Sequence, residues 1–324
     1  MKSIVAPGAF RLILAFLVII SHLSSFNVGR VAVILFFTLS GYWVKALWEN
    51  DKNLYDFWIN RILRIWPLYF ICILLTSICF GYAISIYNIL LFGVSSVKNG
   101  MILGVEWSLD IELQFYFILP FILWINGEIN KKSSHILFLL PILIASVTGW
   151  ILFHYTGFRN TLMYLPAFAF GMFMHEYNEF DYKINYKISL FIFCAIPLIL
   201  LAIDPLKCLI VKGKPTFIDE DIFAMIWASF LIPWISASLK IKSSIWDRHI
   251  GNISYPLYLV HEPIIKYMTK IIDSGTFGKL ISLSIIIIVT VIAYIILDIP
   301  LEKFRKNIVR KNLARSRHQT SHMS

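Results

Sequence analysis

Charge is scarce in this chain. Only 15% of its 324 residues are Asp, Glu, Lys or Arg, against roughly 25% in an ordinary soluble domain. With 58% hydrophobic residues and a mean hydropathy of +0.74, this excludes a soluble enzyme and a disordered chain. Cysteine is scarce as well, four in all. There is no C-x-x-C, and Cys72 and Cys79 stand seven apart on one face of one apolar run, where they cannot bridge each other. A disulfide scaffold, a zinc site and a redox centre are therefore not expected; the four read as small apolar core residues. G-x-G-x-x-G and Walker sequences are missing, which removes the common nucleotide cradles. Internal repeats and low-complexity segments are missing too.

What the chain has instead is apolar runs. A bilayer core of about 30 Å needs roughly 17–25 apolar residues per crossing. Ten segments qualify approximately: 9–26, 30–48, 63–83, 108–126, 135–154, 160–176, 187–203, 220–239, 252–271 and 279–299. The expected fold is all-α, a polytopic membrane protein of about ten transmembrane helices. Residues 84–95 are too short to cross and read as an interfacial or re-entrant piece. Helix 1 reads as a retained span, not a removed signal peptide. The net charge of +10 fits basic cytoplasmic loops better than nucleic acid, and no nucleic-acid partner is expected. Placing the N-terminus inside puts 20 of the 29 Lys and Arg residues on the inner side, so both termini are expected in the cytoplasm. The membrane body is expected over 1–301. Residues 302–324 read as a basic cytoplasmic tail, solvated or resting on lipid headgroups.

Ionisable residues inside apolar helices are costly, about 2.5–3.5 kcal/mol at the centre on insertion scales, so they mark candidate chemistry. Arg11 and His22 lie eleven residues apart in the first run. Eleven residues are three turns plus about 20°, which puts both on one face about 16 Å apart. Arg61 and Arg64, three apart and ahead of Pro67, read as the opening of helix 3, where free amides also attract phosphate. Ser40 and Gly41 allow close helix approach. In E-W-S-L-D-I-E-L-Q-F-Y, Asp110 suits a helix first turn. Glu112, one turn deeper, is expected level with His22, where a carboxylate could fix the imidazole's tautomer. His261 and Glu262 form a further ionisable pair in helix 9. Asp219-Glu220-Asp221 stands at a helix start, which explains it without a metal; no metal ligands are expected anywhere. No histidine has Asp five positions later, so the His-x4-Asp pattern of glycerolipid acyltransferases is missing.

Five motifs occur in order: Arg-x10-His, F-F-T-L-S-G-Y, R-I-L-R-I-W-P, W-S-L-D-I-E-L-Q-F-Y and N-I-S-Y-P-L-Y-L-V-H-E-P. Together they resemble the acyltransferase-3 family of membrane O-acyltransferases over about residues 5–305. Leu12 stands where many members carry Gly after the arginine. The resemblance implies an acyl donor, usually acetyl-CoA, and a glycan or lipid-linked oligosaccharide hydroxyl as acceptor, in the bacterial inner membrane among its lipids. It implies His22 as base or transient acyl carrier with Glu112 in support. It implies Arg11, Arg61 and Arg64 on the donor's phosphates. Ser40, Gly41, Trp107, Ser108 and His261 then shape the site. No permanently bound cofactor is expected. The other class weighed is a transporter or flippase for a lipid-linked glycan, which often shows repeat symmetry.

Overall fold

The structure, a computed structural model, describes residues 4–50, 52–97, 100–129, 136–176, 185–213, 216–272 and 275–321. The loop lysines 131, 132 and 183, part of the inner-side count above, lie outside these, as does the end of the expected tail beyond 321. The described residues form α1 (Pro7–Leu23), α2 (Gly29–Asn50), α3 (Leu54–Phe80), α4 (Ile86–Leu90), α5 (Glu106–Ile129), α6 (Ile136–Thr156), α7 (Thr161–Glu176), α8 (Tyr186–Ala202), α9 (Glu220–Ser229), α10 (Ile232–Leu239), α11 (Ile245–Ile271), α12 (Thr276–Ala293) and α13 (Ile299–Ser321). No strand occurs among them. The fold is all-α, as the apolar runs require.

By length and apolarity α2, α3 and the continuous run Thr276–Lys311 can each cross a bilayer, and the bent pair α9/α10 makes a fourth. α1, α8 and residues Leu140–Thr156 of α6 are apolar but shorter. Large apolar side chains face outward, among them Ile78, Phe191 and Leu198. Surface of this kind belongs in lipid, where helices satisfy their own backbone groups.

Caps and breaks move several expected boundaries. α3 starts at Leu54, nine residues early, because the Asn53 side chain accepts from the Tyr55 and Asp56 amides. Arg61 and Arg64 are therefore inside a helix, not at its opening, and Pro67 is deeper still. The helix-start contribution to phosphate attraction does not apply to them. α11 likewise starts early, at Ile245, where Ser244 accepts from the Asp247 amide. The expected helix over 220–239 breaks between α9 and α10 with a 57° bend, just before Pro233, which has no amide to donate. The last expected helix does not stop near 299. α12 passes through a π-turn, Tyr294–Asp298, into α13.

The chain divides into two compact units. One comprises Met1–Trp43 and Ala167–Ile288, the other Val44–Pro166 and Val289–Ser324. In the first unit α1 packs along α11. Asp247 accepts from the Gly8 amide at 3.0 Å and the Ala9 amide at 2.9 Å, capping α1 from the neighbouring helix. A Cβ on Gly251 would stand 2.8 Å from the Gly8 Cα, so both glycines are needed for this approach. Ala15, Ile19, Leu257 and Ile265 fill the seam further along. The N-terminal ends of α1 and α11 thus lie together and the two helices run parallel.

In the second unit α3 packs on α5 and on α13. Its 27 residues span about 40 Å. After α3 the chain folds back along it. The Tyr69 hydroxyl donates to the Asn88 carbonyl at 2.9 Å and the Trp66 indole to the Ile89 carbonyl at 2.8 Å. Both partners sit near the middle of α3, so the short α4 segment is re-entrant and α5 begins partway along α3, not at its far end.

Candidate active site

The parallel register of α1 and α11 decides what meets His22. Asp247 and Gly251 sit at Gly8; three to four turns further on, Glu262 and His261 arrive at His22. The Glu262 carboxylate stands 2.5 Å from His22 Nδ1. The His22 side chain is 32% exposed and Glu262 14%. Nε2 of His22 has no hydrogen-bond partner among the described residues. Glu262 Oε1 also has the Lys266 ammonium at 3.6 Å. The His261 ring meets His22 edge-on, centroids 5.1 Å apart. It is wholly buried. Its Nδ1 lies 3.3 Å from the Leu257 carbonyl, and its Nε2 has no partner among the described residues.

The turn after His22 is pinned by a distant loop. The Lys212 amide donates to the Ser25 carbonyl at 2.8 Å and the Asn27 amide to the Ile210 carbonyl at 2.7 Å. The Lys212 ammonium donates to the Ser21 carbonyl, one residue before His22. Burial lowers the Lys212 ammonium from its ordinary range, while Glu262 and Glu220 act to raise it. In the same unit Arg30 pairs with Asp221 at 2.7 Å and approaches Glu220 at 3.6 Å, and Asp219 caps α9. The D-x-D sequence is thus occupied by a cap and an ion pair.

Arg11 is half-buried on α1, three turns before His22. Ser40 is buried, and Gly41 sits where α2 crosses α7: a Cβ on it would collide with the Phe168 carbonyl. Gly171 on α7 makes the reciprocal approach to the Thr38 carbonyl. The S-G pair therefore serves a close helix crossing.

The remaining candidates lie in the second unit. Arg61 stands 5.8 Å above the Tyr116 ring, and the Tyr116 hydroxyl donates to Glu112. The Trp58 indole donates to the Tyr116 carbonyl at 3.2 Å. Glu112 is therefore level with Trp58 and Arg61, toward the N-terminal end of α3. Within this unit the re-entrant segment starts α5 partway along α3, which brings Glu112 beside Arg61; within the first unit the carboxylate at the His22 imidazole is Glu262. Arg64 is tied to acids that no sequence spacing links to it, Asp298 at 3.5 Å and Glu302 at 3.7 Å. Arg305 holds Glu302 in a fork, 2.9 and 2.6 Å, and also reaches Asn60. Trp107 lies under the Arg159 guanidinium at 5.5 Å, and the Ser108 hydroxyl donates to the Val105 carbonyl at 3.0 Å.

Two roles are not legible in the sequence. Glu262 stands out as an ionisable residue in an apolar helix, but nothing in the sequence says which helix packs on α1 and so pairs it with His22. Arg305 was hidden in a basic run that positive-inside charge already explains.

Comparison with known proteins adds the family. The model of an acyltransferase domain, that of the acyltransferase-3 family, matches residues 4–298. A Bacillus subtilis (strain 168) protein, YrhL, named provisionally as a peptidoglycan O-acetyltransferase, is 25% identical over 299 residues, covering 77% of this chain and 46% of that protein. The O-acetyl transferase of Shigella phage Sf6 is 24% identical over 221 residues, covering 55% of this chain and 64% of that one. The chain thus spans between about half and under two thirds of these relatives' lengths. No solved structure matches it. The family match runs from the first helix to the end of the π-turn and takes in all five motifs: the chain belongs to the acyltransferase-3 family.

Proposed function

We propose that the protein transfers an acetyl group from acetyl-CoA to a hydroxyl of a bacterial surface glycan or lipid-linked sugar, with His22 as the base. One observation carries this reading: a carboxylate oxygen 2.5 Å from Nδ1 of a partly exposed histidine whose Nε2 has no partner among the described residues. With Nδ1 carrying the proton toward Glu262, Nε2 is the lone pair. It takes the proton of the acceptor hydroxyl as that oxygen attacks the thioester carbonyl carbon. The carbon–sulfur bond then breaks, and the imidazolium returns its proton to the departing thiolate. Glu262 stabilises the imidazolium in between, the part a buried carboxylate plays in hydrolase triads. A relay in which Nε2 first takes the acetyl group uses the same atom; trapping acyl-His22 by rapid quench and mass spectrometry separates the two.

Arg11, Arg61 and Arg64 are proposed for the donor's phosphates. Arg11 stands about 16 Å along the His22 face of α1, about the length of an extended pantetheine arm. Arg61 is the freer of the other two, since its Nε is unpartnered while Arg64 already has two carboxylates. The enzyme is proposed to sit in the bacterial inner membrane with both termini in the cytoplasm, as its Lys and Arg distribution favours. Membership of an acyltransferase family speaks against the transporter reading.

The test is His22→Ala in a deletion strain, with protein level checked by blot and O-acetyl content of the surface glycan read by NMR. Loss of a general base removes about 10²–10⁴-fold of rate, so O-acetylation should fall to a trace. Wild-type O-acetyl content in that strain defeats the base assignment.

A further inference from the structure

We propose that His22, His261 and Glu262 form a binding site for a divalent transition-metal ion, zinc foremost, and that the ion inhibits the enzyme by taking Nδ1 of His22, which holds the ring proton on Nε2 and removes the lone pair of the base. The inhibitory half rests on the reading of His22 given above; the binding half does not. One ligand atom from each of the three residues lies within 4.8 Å of the other two. The second observation is independent of that clustering. His261 is wholly buried, its Nδ1 lies 3.3 Å from the Leu257 carbonyl, and its Nε2 has no partner among the described residues. A buried imidazole nitrogen left bare beside another imidazole and a carboxylate has the lone pair that a metal takes.

Two imidazoles and one carboxylate are a donor set for zinc, and also for copper, nickel or cobalt. Magnesium and calcium prefer shells of oxygen. Zinc bonds of about 2.0–2.2 Å place tetrahedral ligand atoms about 3.4 Å apart. The His22–Glu262 contact must open to that distance and the widest separation must close to it. The His22 ring is the mobile partner, since it is half-exposed and sits in the last turn of α1. It also gives the ion its way in. Lys266 and Lys212 face Glu262 and oppose a second positive charge, so binding in the micromolar range is expected. The ion would replace the proton between Nδ1 and the carboxylate, making binding weaker in acid. Three protein ligands leave a fourth position for water.

The experiment uses the purified full-length protein in detergent, stripped with a chelator. It is dialysed against buffered free zinc, bound metal is measured by mass spectrometry, and acetyl transfer is assayed in parallel. One zinc per chain is expected, with transfer lost over the same zinc range and restored by chelator. Magnesium at equal concentration should neither inhibit nor compete. His261→Gln and Glu262→Gln should each weaken zinc binding by at least the roughly 10–100-fold that disturbing a ligand's supporting hydrogen bond costs. Because His261 is wholly buried, Glu262→Gln, an isosteric change at a residue that keeps some exposure, guards against a folding artefact. Wild-type zinc affinity in both variants, or less than one zinc per wild-type chain at saturation, overturns the site. His22→Ala separates this proposal from the function. Lost zinc binding with transfer intact keeps the metal site and removes the base reading; retained zinc binding removes the metal site and leaves the base reading standing.

Discussion

Two helices carry similar acidic and aromatic sequences, and the structure uses them differently. At the start of α5, Glu106 is wholly buried and accepts the Leu103 amide at 2.5 Å. Asp110, also buried, accepts the Val94 amide at 3.1 Å and the Gln114 side chain at 2.8 Å. Gln114 in turn accepts the Thr161 amide at 3.0 Å. These groups hold the re-entrant segment and the start of α7 on α5. In α11 the single acid of the middle stretch, Glu262, meets a histidine with a free nitrogen. A carboxylate in an apolar helix marks importance; whether it is structural or chemical depends on what its partner still has to offer.

That contrast can be broken. The largest stability effect is expected from Asp110→Ala, which strands a buried amide and a buried side-chain donor at about 1–3 kcal/mol each. The protein level in membranes should drop and the melting temperature in detergent should fall, while activity per folded molecule is kept. Unchanged thermal stability would show that Asp110 does not hold the segment.

A smaller loss is expected from Asp247→Ala, because it removes the cap that sets α1 against α11. Helix caps are worth about 0.5–2 kcal/mol. Its signature is mixed: modestly lower stability together with lower acetyl transfer, since His22 reaches Glu262 only through that register. A stability loss with full activity would mean that the seam of Ala15, Ile19 and Leu257 fixes the register alone.

Smaller again is the contrast between the two arginines of α3. Arg61→Ala should raise the KM for acetyl-CoA more than Arg64→Ala, as each lost charge-assisted hydrogen bond to phosphate costs about 1.5–3 kcal/mol and Arg64 is already shared with Asp298 and Glu302. Equal KM shifts in initial-rate assays would show that phosphate displaces those carboxylates.

The limits of sequence reading have physical causes. The helical membrane character was legible because apolar runs of this length have one stable outcome in lipid. Arg11 and His22 on one helix were legible because helical geometry is local. The first turns of α3 and α11 were missed because polar residues capped by Asn53 and Ser244 lie outside the hydropathy signal. The neighbourhood of Glu112 is set by a longer-range feature: the stretch around Asn88, bonded to Tyr69 in the middle of α3, folds back so that α5 begins partway along that helix and brings Glu112 beside Arg61. Glu262 needed the α1–α11 register, which two glycines and a cap set in three dimensions and no periodicity announces.

The most direct measurement compares Glu262→Gln and Glu112→Gln side by side, as purified proteins, for the kcat of acetyl transfer at saturating acetyl-CoA. If Glu262 orients the imidazole, its amide variant should lose about 10²-fold or more, within the range of a general base, and Glu112→Gln should lose far less. A Glu262→Gln enzyme near wild type, with Glu112→Gln reduced to the level of His22→Ala, would contradict the assignment.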